Sequence, residues 1–262
     1  MKKIVLGTIV SVMITGSTFA ACDYDLDATQ TQLSQIDATM TRFPSILGAK
    51  ASYSVEPTST VKSYMAMSNA FANNKINNPN LAFQDVSGDK AIATLGTVAF
   101  EVKLKIPTYV LPAGETITFF PIQIAATNGN QNVFSIAIVH VNGQPTNTNN
   151  NILLMINGGT QSTGVLSLKP ENTLDGYQSF GFYVNQSSKQ IGYIFNGVNK
   201  GYVSGYDNSG SALSFMAGGG TGTIATSASV VGQNLSIEFI TDHTKLSNTY
   251  PTGTKDICGT TL

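Results

Sequence analysis

The sequence predicts an all-β protein, an antiparallel β-sandwich with a short N-terminal helical segment. Three observations carry this. An Asn196-Gly197 pair sits between two runs rich in Tyr, Ile, Phe and Val; Val98 to Ile106 alternates strictly between apolar and polar residues; and from Leu81 onward turn signals recur at short intervals with no helix-period stretch between them. The absence of strand–helix–strand alternation argues against a parallel α/β sheet.

The Asn-Gly pair is the sharpest signal, because a type I′ turn requires φ > 0 at both central residues. A turn there pairs Phe195 with Val198, Tyr193 with Lys200 and Ile191 with Tyr202 on one face. The other face then pairs Ile194 with Asn199, Gly192 with Gly201 and Gln190 with Val203. The first face is apolar and aromatic and is expected to be buried; the second is small and polar. Upstream, Phe180, Phe182 and Val184 alternate in the same way, which completes a three-strand meander.

From the N-terminus, residues 1–20 combine two lysines, an uncharged apolar core and a small-residue exit, the pattern of a secretory signal peptide. Residues 21–80 form the helical or extended segment. Leu33, Ile36, Met40 and Phe43 recur at helical spacing, with Asp27 and Gln30 resembling a capping box and Pro44 marking the end. An extended arm is the alternative, given the threonines. A second helix is expected within Ser59 to Asn74, followed by a loop from Asn73 to Asn80.

Residues 81–262 are assigned to the sandwich. After the Val98–Ile106 strand comes Ile117 to Ala125, where Pro121 signals an edge or a bulge. Strands are expected over Val133 to Val141, Ile152 to Ile156, Val165 to Leu168, Ala212 to Ala217 and Leu235 to Ile240. A low-complexity loop spans 146–151, and Gly218 to Gly222 reads as a turn. The formal match of Gly220, Gly222 and Ala225 to a dinucleotide fingerprint opens onto no helix, so no nucleotide is expected there.

This order of elements, a strand like GTVAFEVKLKI, paired strands, DGYQSFGFYVNQSSKQIGYIFNGVNKGY and then ALSFMAGGG, resembles the concanavalin A-like lectin and glucanase superfamily, particularly its laminin-G-type and pentraxin-like jelly rolls. The resemblance spans roughly residues 81–240. It implies a jelly roll, a carbohydrate ligand and, in some relatives, calcium at the sandwich rim.

Composition narrows the partners. Only 11% of residues are charged, against about 25% in typical domains, and the net charge is −1. Such a chain has no overall field to attract nucleic acid or anionic lipid. No run beyond the leader approaches the roughly 20 apolar residues that span a bilayer. Cys22 and Cys258, near opposite ends of the mature chain, are expected to form a disulfide in an oxidising compartment. The alternative is a lipoprotein acylated at Cys22.

No catalytic constellation emerges. Glu101 alternates with Lys103 and Lys105, and Glu238 stands alone, so the closely spaced carboxylates of a retaining glycosidase are missing. His140 and His243 lack the setting of a triad. The expectation is therefore a non-enzymatic, exported module, periplasmic or at the cell surface, that binds carbohydrate or mediates adhesion. Tyr183, Tyr193, Tyr202 and Tyr206, with Asn199 and Asn208, supply aromatic faces and amides for a sugar. Calcium, if bound, would draw on Asp85, Asp89 and Asp207, although the same residues also suit turns. The alternatives are a structural or protein-interaction component of the envelope and, behind it, a glycan-active hydrolase.

Overall fold

The computed structural model describes residues 22–143, 149–159 and 161–262; the expected leader and residues 146–148 of the low-complexity loop lie outside them. Two antiparallel sheets face each other across one core, as the sequence leads one to expect.

The sandwich begins upstream of Leu81. β1 (Ser45–Leu47), β2 (Lys50–Ser54) and β3 (Lys62–Met67) come from the segment expected to be helical or extended, and β4 is Lys90–Ala91. Then follow β5 (Thr97–Lys105), β6 (Ile117–Thr127), β7 (Asn132–Asn142), β8 (Asn150–Gly158) and β9 (Gln161–Leu168). The meander is β10 (Tyr177–Asn185), β11 (Gln190–Phe195) and β12 (Val198–Gly205), and β13 (Ala212–Thr221), β14 (Asn234–Ile240) and β15 (Thr254–Asp256) complete the chain. One sheet runs β1-β2-β14-β5-β10-β11-β12, with β15 added in parallel to β5; the other runs β3-β13-β6-β7-β8-β9, with β4 on β13.

Alternation decides which side chains meet between the sheets. Phe100, Val102 and Leu104 of β5 point inward with Phe180 and Phe182 of β10, while Phe215 of β13 reaches across from the other sheet. Phe215 packs edge-on against Phe100 at 5.4 Å and tilted against Phe239 at 5.2 Å, geometries that suit ring quadrupoles. Each fully buried phenylalanine of this kind contributes about 2–3 kcal/mol of hydrophobic stabilisation.

Both helices are shorter than the periodicity suggested. α1 is Gln30–Ile36, and its capping box is Thr29 with Gln32 rather than Asp27 with Gln30: Gln32 N donates to Thr29 Oγ1 (3.2 Å) and Thr29 N to Gln32 Oε1 (2.9 Å). Asp27 instead accepts from Asn69 N at the start of α2 (Asn69–Asn77). The expected helix within Ser59 to Asn74 is thus half strand, and α2 runs into the expected loop. Phe43, read as part of the first helix, lies in the main core. Leu33, Phe71 and Ala72 of the two helices bury against Met67 and Met216, on the outer surface of β3 and β13.

Two glycine readings also change. Gly218, Gly219 and Gly220 belong to β13 rather than to a turn, and their neighbours leave little room for a side chain: a Cβ on Gly220 would lie 1.9 Å from Lys62 O, and one on Gly219 would press on the Phe43 and Phe119 rings. Pro121 lies opposite, at a register irregularity between β6 and its neighbours, which is the bulge its presence signalled.

The Asn196-Gly197 turn is present, with φ 47° and 80°. Phe195 pairs with Val198 and Ile194 with Asn199 as expected, but then the register slips twice, so that Gly192 meets Tyr202 and Ile191 meets Ser204. Gly201, at φ 76°, accommodates the extra residue. Tyr202 is thereby moved from the expected inner face to the outer one.

Candidate functional site

Burial dismantles the expected tyrosine platform. Tyr193 remains on the inner face and is buried in the core. Tyr206 is also buried, packed on Phe134 at 5.2 Å, and donates to Asn185 O and Gln186 Oε1, both at 3.0 Å. Desolvation raises its phenol well above the ordinary value. Tyr183 faces outward but is buried under its neighbours. Its hydroxyl donates to Asn199 Oδ1 (2.8 Å), and the rings of Tyr202 and Tyr250 stand edge-on to it at 5.1 and 6.4 Å. Of the four tyrosines only Tyr202 is exposed. Asn208 is exposed on the loop before β13, away from this cluster, beside a small polar pocket shared with Asn128 and Ser211.

The cover over Tyr183 is the C-terminal tail. Leu246 and Tyr250 pack on Ala99, Tyr183 and Ile194. Glu101, fully buried on the outer face of β5, accepts hydrogen bonds from Ser247 N (2.7 Å), Ser247 Oγ (2.8 Å), Asn248 N (2.8 Å) and Tyr250 Oη (3.0 Å). A carboxylate so surrounded is a structural anchor. The expected disulfide closes the same region, joining Cys22 to Cys258 with their Cα atoms 5.9 Å apart.

The calcium candidates do not converge. Asp89 accepts from Tyr24 Oη (2.9 Å) and from the Ser68 hydroxyl, and burial raises its pKa. Asp85 ends a single 3₁₀ turn, and Asp207 lies on the loop after β12 beside Gly159. Among the described residues, the side chains that approach one another as a metal site would are instead Asp242, His243 and Asp256, with His243 Nδ1 3.1 Å from Asp256 Oδ2 and 3.5 Å from Asp242 Oδ1. His243 and Asp242 share a side because β14 has already ended at Ile240. Their hydrogen bonds account for the cluster: Asp256 also accepts from Cys258 N and Thr260 N, and Thr244 N, which donates to Asp242, lowers the pKa of that carboxylate.

An open concavity runs along β3. Two adjoining clefts, of about 550 and 300 Å³, share Val61, Lys62 and Ser63. Hydroxyls dominate their walls: Thr39 and Thr41 on one side, and Thr116, Thr118, Thr221 and Thr223 on the other. Strand alternation explains the second wall, since Ile117 and Phe119 point into the core and turn Thr116 and Thr118 outward. Tyr64 gives the cleft its aromatic edge and is held in place by Tyr53 and Phe43, with ring centres at 5.4 and 5.7 Å. The carboxylate at the rim, Glu56, accepts from Lys62 Nζ at 2.9 Å. Tyr64 was hidden in a Met- and Ala-rich stretch that reads as helix; the Thr116–Phe119 alternation was the available signal.

A two-sheet antiparallel sandwich with a hydroxyl-lined edge cleft and covalently joined ends is thus the class defined by fold and site. The chain belongs to the family described as "Domain of unknown function (DUF4882)", which it matches over residues 3–260. No curated protein matches it. Solved structures similar to it include a β-glucanase of Bacillus licheniformis (12% identity, 55% of this chain and 64% of that one, TM-score 0.30). Others are a marine PL7 alginate lyase from Zobellia galactanivorans (14%, 71% and 80%, TM-score 0.34) and the CBM2 module of the evolved Dit protein of Lactobacillus casei BL23 phage J-1 (10%, 83% and 87%, TM-score 0.36). The chain thus spans just under two thirds of the glucanase it matches.

Proposed function

We propose that this protein is an exported, non-catalytic module that binds glycan, or adheres through it, along the β3 cleft. The observation that carries the reading is the wall of threonine and serine hydroxyls around a rigid Tyr64, which offers a sugar hydrogen-bond partners beside an aromatic face. Glu56 lines the adjoining hollow near Tyr64 with no second carboxylate beside it, so the acid–base pair that glycoside hydrolysis needs is missing from this lining.

A glycan array with the mature chain, followed by titration of the best neutral oligosaccharide with wild type and the Thr116→Val/Thr118→Val variant, tests this. Retention of a glycan by wild type, weakened about tenfold by the variant, is the expected result. No glycan retained with or without Ca²⁺ overturns it, and release of reducing ends would convert the protein into an enzyme.

A second reading, an envelope interaction protein, draws on the outer surface of the seven-stranded sheet, where Phe120 and Val165 are each 60% exposed. Cross-linking to a protein partner without any sugar affinity would favour it.

A further inference from the structure

The outer face of the eight-stranded sheet is divided in two. The tail covers the half around Glu101 and Tyr183. The other half is open, and the strand register arranges its side chains in two rows. One row is Ser52, Ser236, Lys105 and Tyr177; the next is Lys50, Glu238, Lys103 and Ser179. Three ammonium groups therefore share this surface with one carboxylate, in a chain that is sparing with charge.

Glu101 shares a strand face with Lys103 and Lys105 and is the nearest carboxylate to them in the sequence. The fold removes it. The Glu101 carboxylate is buried and saturated by four donors from the tail, none of them a lysine. Lys103 and Lys105 make no hydrogen bond or ion pair among the described residues, and Glu238, opposite Lys103 and Lys50 in the register, lies beyond ion-pair distance of both. Lys50 Nζ donates to Tyr177 Oη at 2.9 Å, and this bond, with Lys105 nearby, pulls the Tyr177 phenol below its ordinary pKa. Positive charge thus outnumbers negative on this half-face, where Glu238 is the one carboxylate among three lysines on the two rows. Among the polar neighbours on the same rows Ser52 and Ser236 are buried and the Ser179 hydroxyl is covered, so the lysine ammonium groups are what this surface offers a ligand.

We propose that this open half-face, bounded by the tail, binds an acidic polysaccharide through Lys50, Lys103 and Lys105, with the sugar's carboxylate or sulfate groups bridging the two lysine rows. The site is separate from the β3 cleft and does not depend on the reading of it. Saccharide is favoured over nucleic acid because the Lys50 ammonium group lies over the Tyr177 ring, 5.3 Å from its centre, and competes with a base for that face. It is favoured over a bilayer because the lysines lie on a sheet face beside the raised tail rather than on a protruding loop.

Affinity electrophoresis of the mature, disulfide-intact chain through polygalacturonate, dextran sulfate and neutral dextran tests the proposal, with single-stranded DNA and phosphatidylglycerol vesicles as further arms. Retardation by at least one polyanionic sugar and not by dextran is expected. Lys103→Gln/Lys105→Gln should weaken it about tenfold, Glu238→Gln should strengthen it, and added salt should weaken it. Carboxylated against sulfated preference separates the two anion sources. Thr116→Val/Thr118→Val should leave this retardation unchanged, which separates the site from the cleft. Circular dichroism of the lysine variant checks that it folds, and Glu238→Gln gives an independent reading of opposite sign. Absence of retardation at low salt, equal retardation of the lysine variant, or binding confined to DNA or vesicles would each overturn the proposal.

Discussion

The phenol of Tyr250 donates a 3.0 Å hydrogen bond to Glu101, a carboxylate with no exposed surface that lies 149 residues earlier in the chain. Through this contact the segment 246–250 becomes part of the sheet surface. Burial and the nearby Glu101 charge both push the Tyr250 phenol far above its ordinary pKa, so it remains a donor at any physiological pH.

Replacing Glu101 with Gln should therefore cost about 2–3 kcal/mol, because an amide group would confront donors that now converge on a carboxylate. Urea unfolding measures the loss. Hydrogen exchange should accelerate across residues 246–250 before it does in the meander; unchanged exchange there would show that the tail is held by something else.

The Cys22–Cys258 bridge closes a loop with a sequence separation of 236, which on the chain-entropy account contributes about 5 kcal/mol as an upper figure. Reduction, or Cys22→Ser/Cys258→Ser, should lower the melting temperature and release both ends while the Asn196-Gly197 hairpin stays protected. Mass spectrometry of the unreduced protein should find no free thiol and no lipid on Cys22.

His140 is fully buried and donates from Nε2 to Asn150 Oδ1 at 3.1 Å, and burial lowers its pKa to about 4. A base whose folded pKa lies below its unfolded value binds fewer protons in the native state. Stability should therefore fall as pH drops from about 6.5 to about 4, by up to about 3 kcal/mol, and level off below. In His140→Gln that portion of the pH dependence should vanish, as a wild-type-minus-variant comparison of urea midpoints across this range would reveal.

Gly192 lies against the Tyr183 ring, and a Cβ there would approach Tyr183 Cζ to 2.2 Å. Gly192→Ala should destabilise the fold by about 2 kcal/mol and displace the hydroxyl from Asn199. Because the chain has no Trp, tyrosine fluorescence reports this directly.

Legibility followed locality. The turn at Asn196-Gly197 and its first two residue pairs were readable because they depend on backbone conformations that few residues adopt. The slip at Gly201 was not, since glycine fits a regular strand as well as a bulge. The helix within Ser59 to Asn74 was misread because Met65, Ala66 and Met67 are good helix formers, yet pairing with β13 overrides that preference. The tyrosines failed as a group for a longer-range reason: aromatic alternation reveals a sheet face but not what lies on top of it. Only the Cys22–Cys258 pairing, constrained by there being two cysteines, reached across the whole chain.

The irregular pairing of β12 has one more consequence. β12 is the last strand of its sheet, and a straight final strand presents a row of unused backbone groups on which a second molecule could template. Two register slips within eight residues, with Gly201 in a left-handed conformation, break that row into fragments too short to extend. What reads as a local defect of the hairpin thus makes this edge a poor template for intermolecular strand addition.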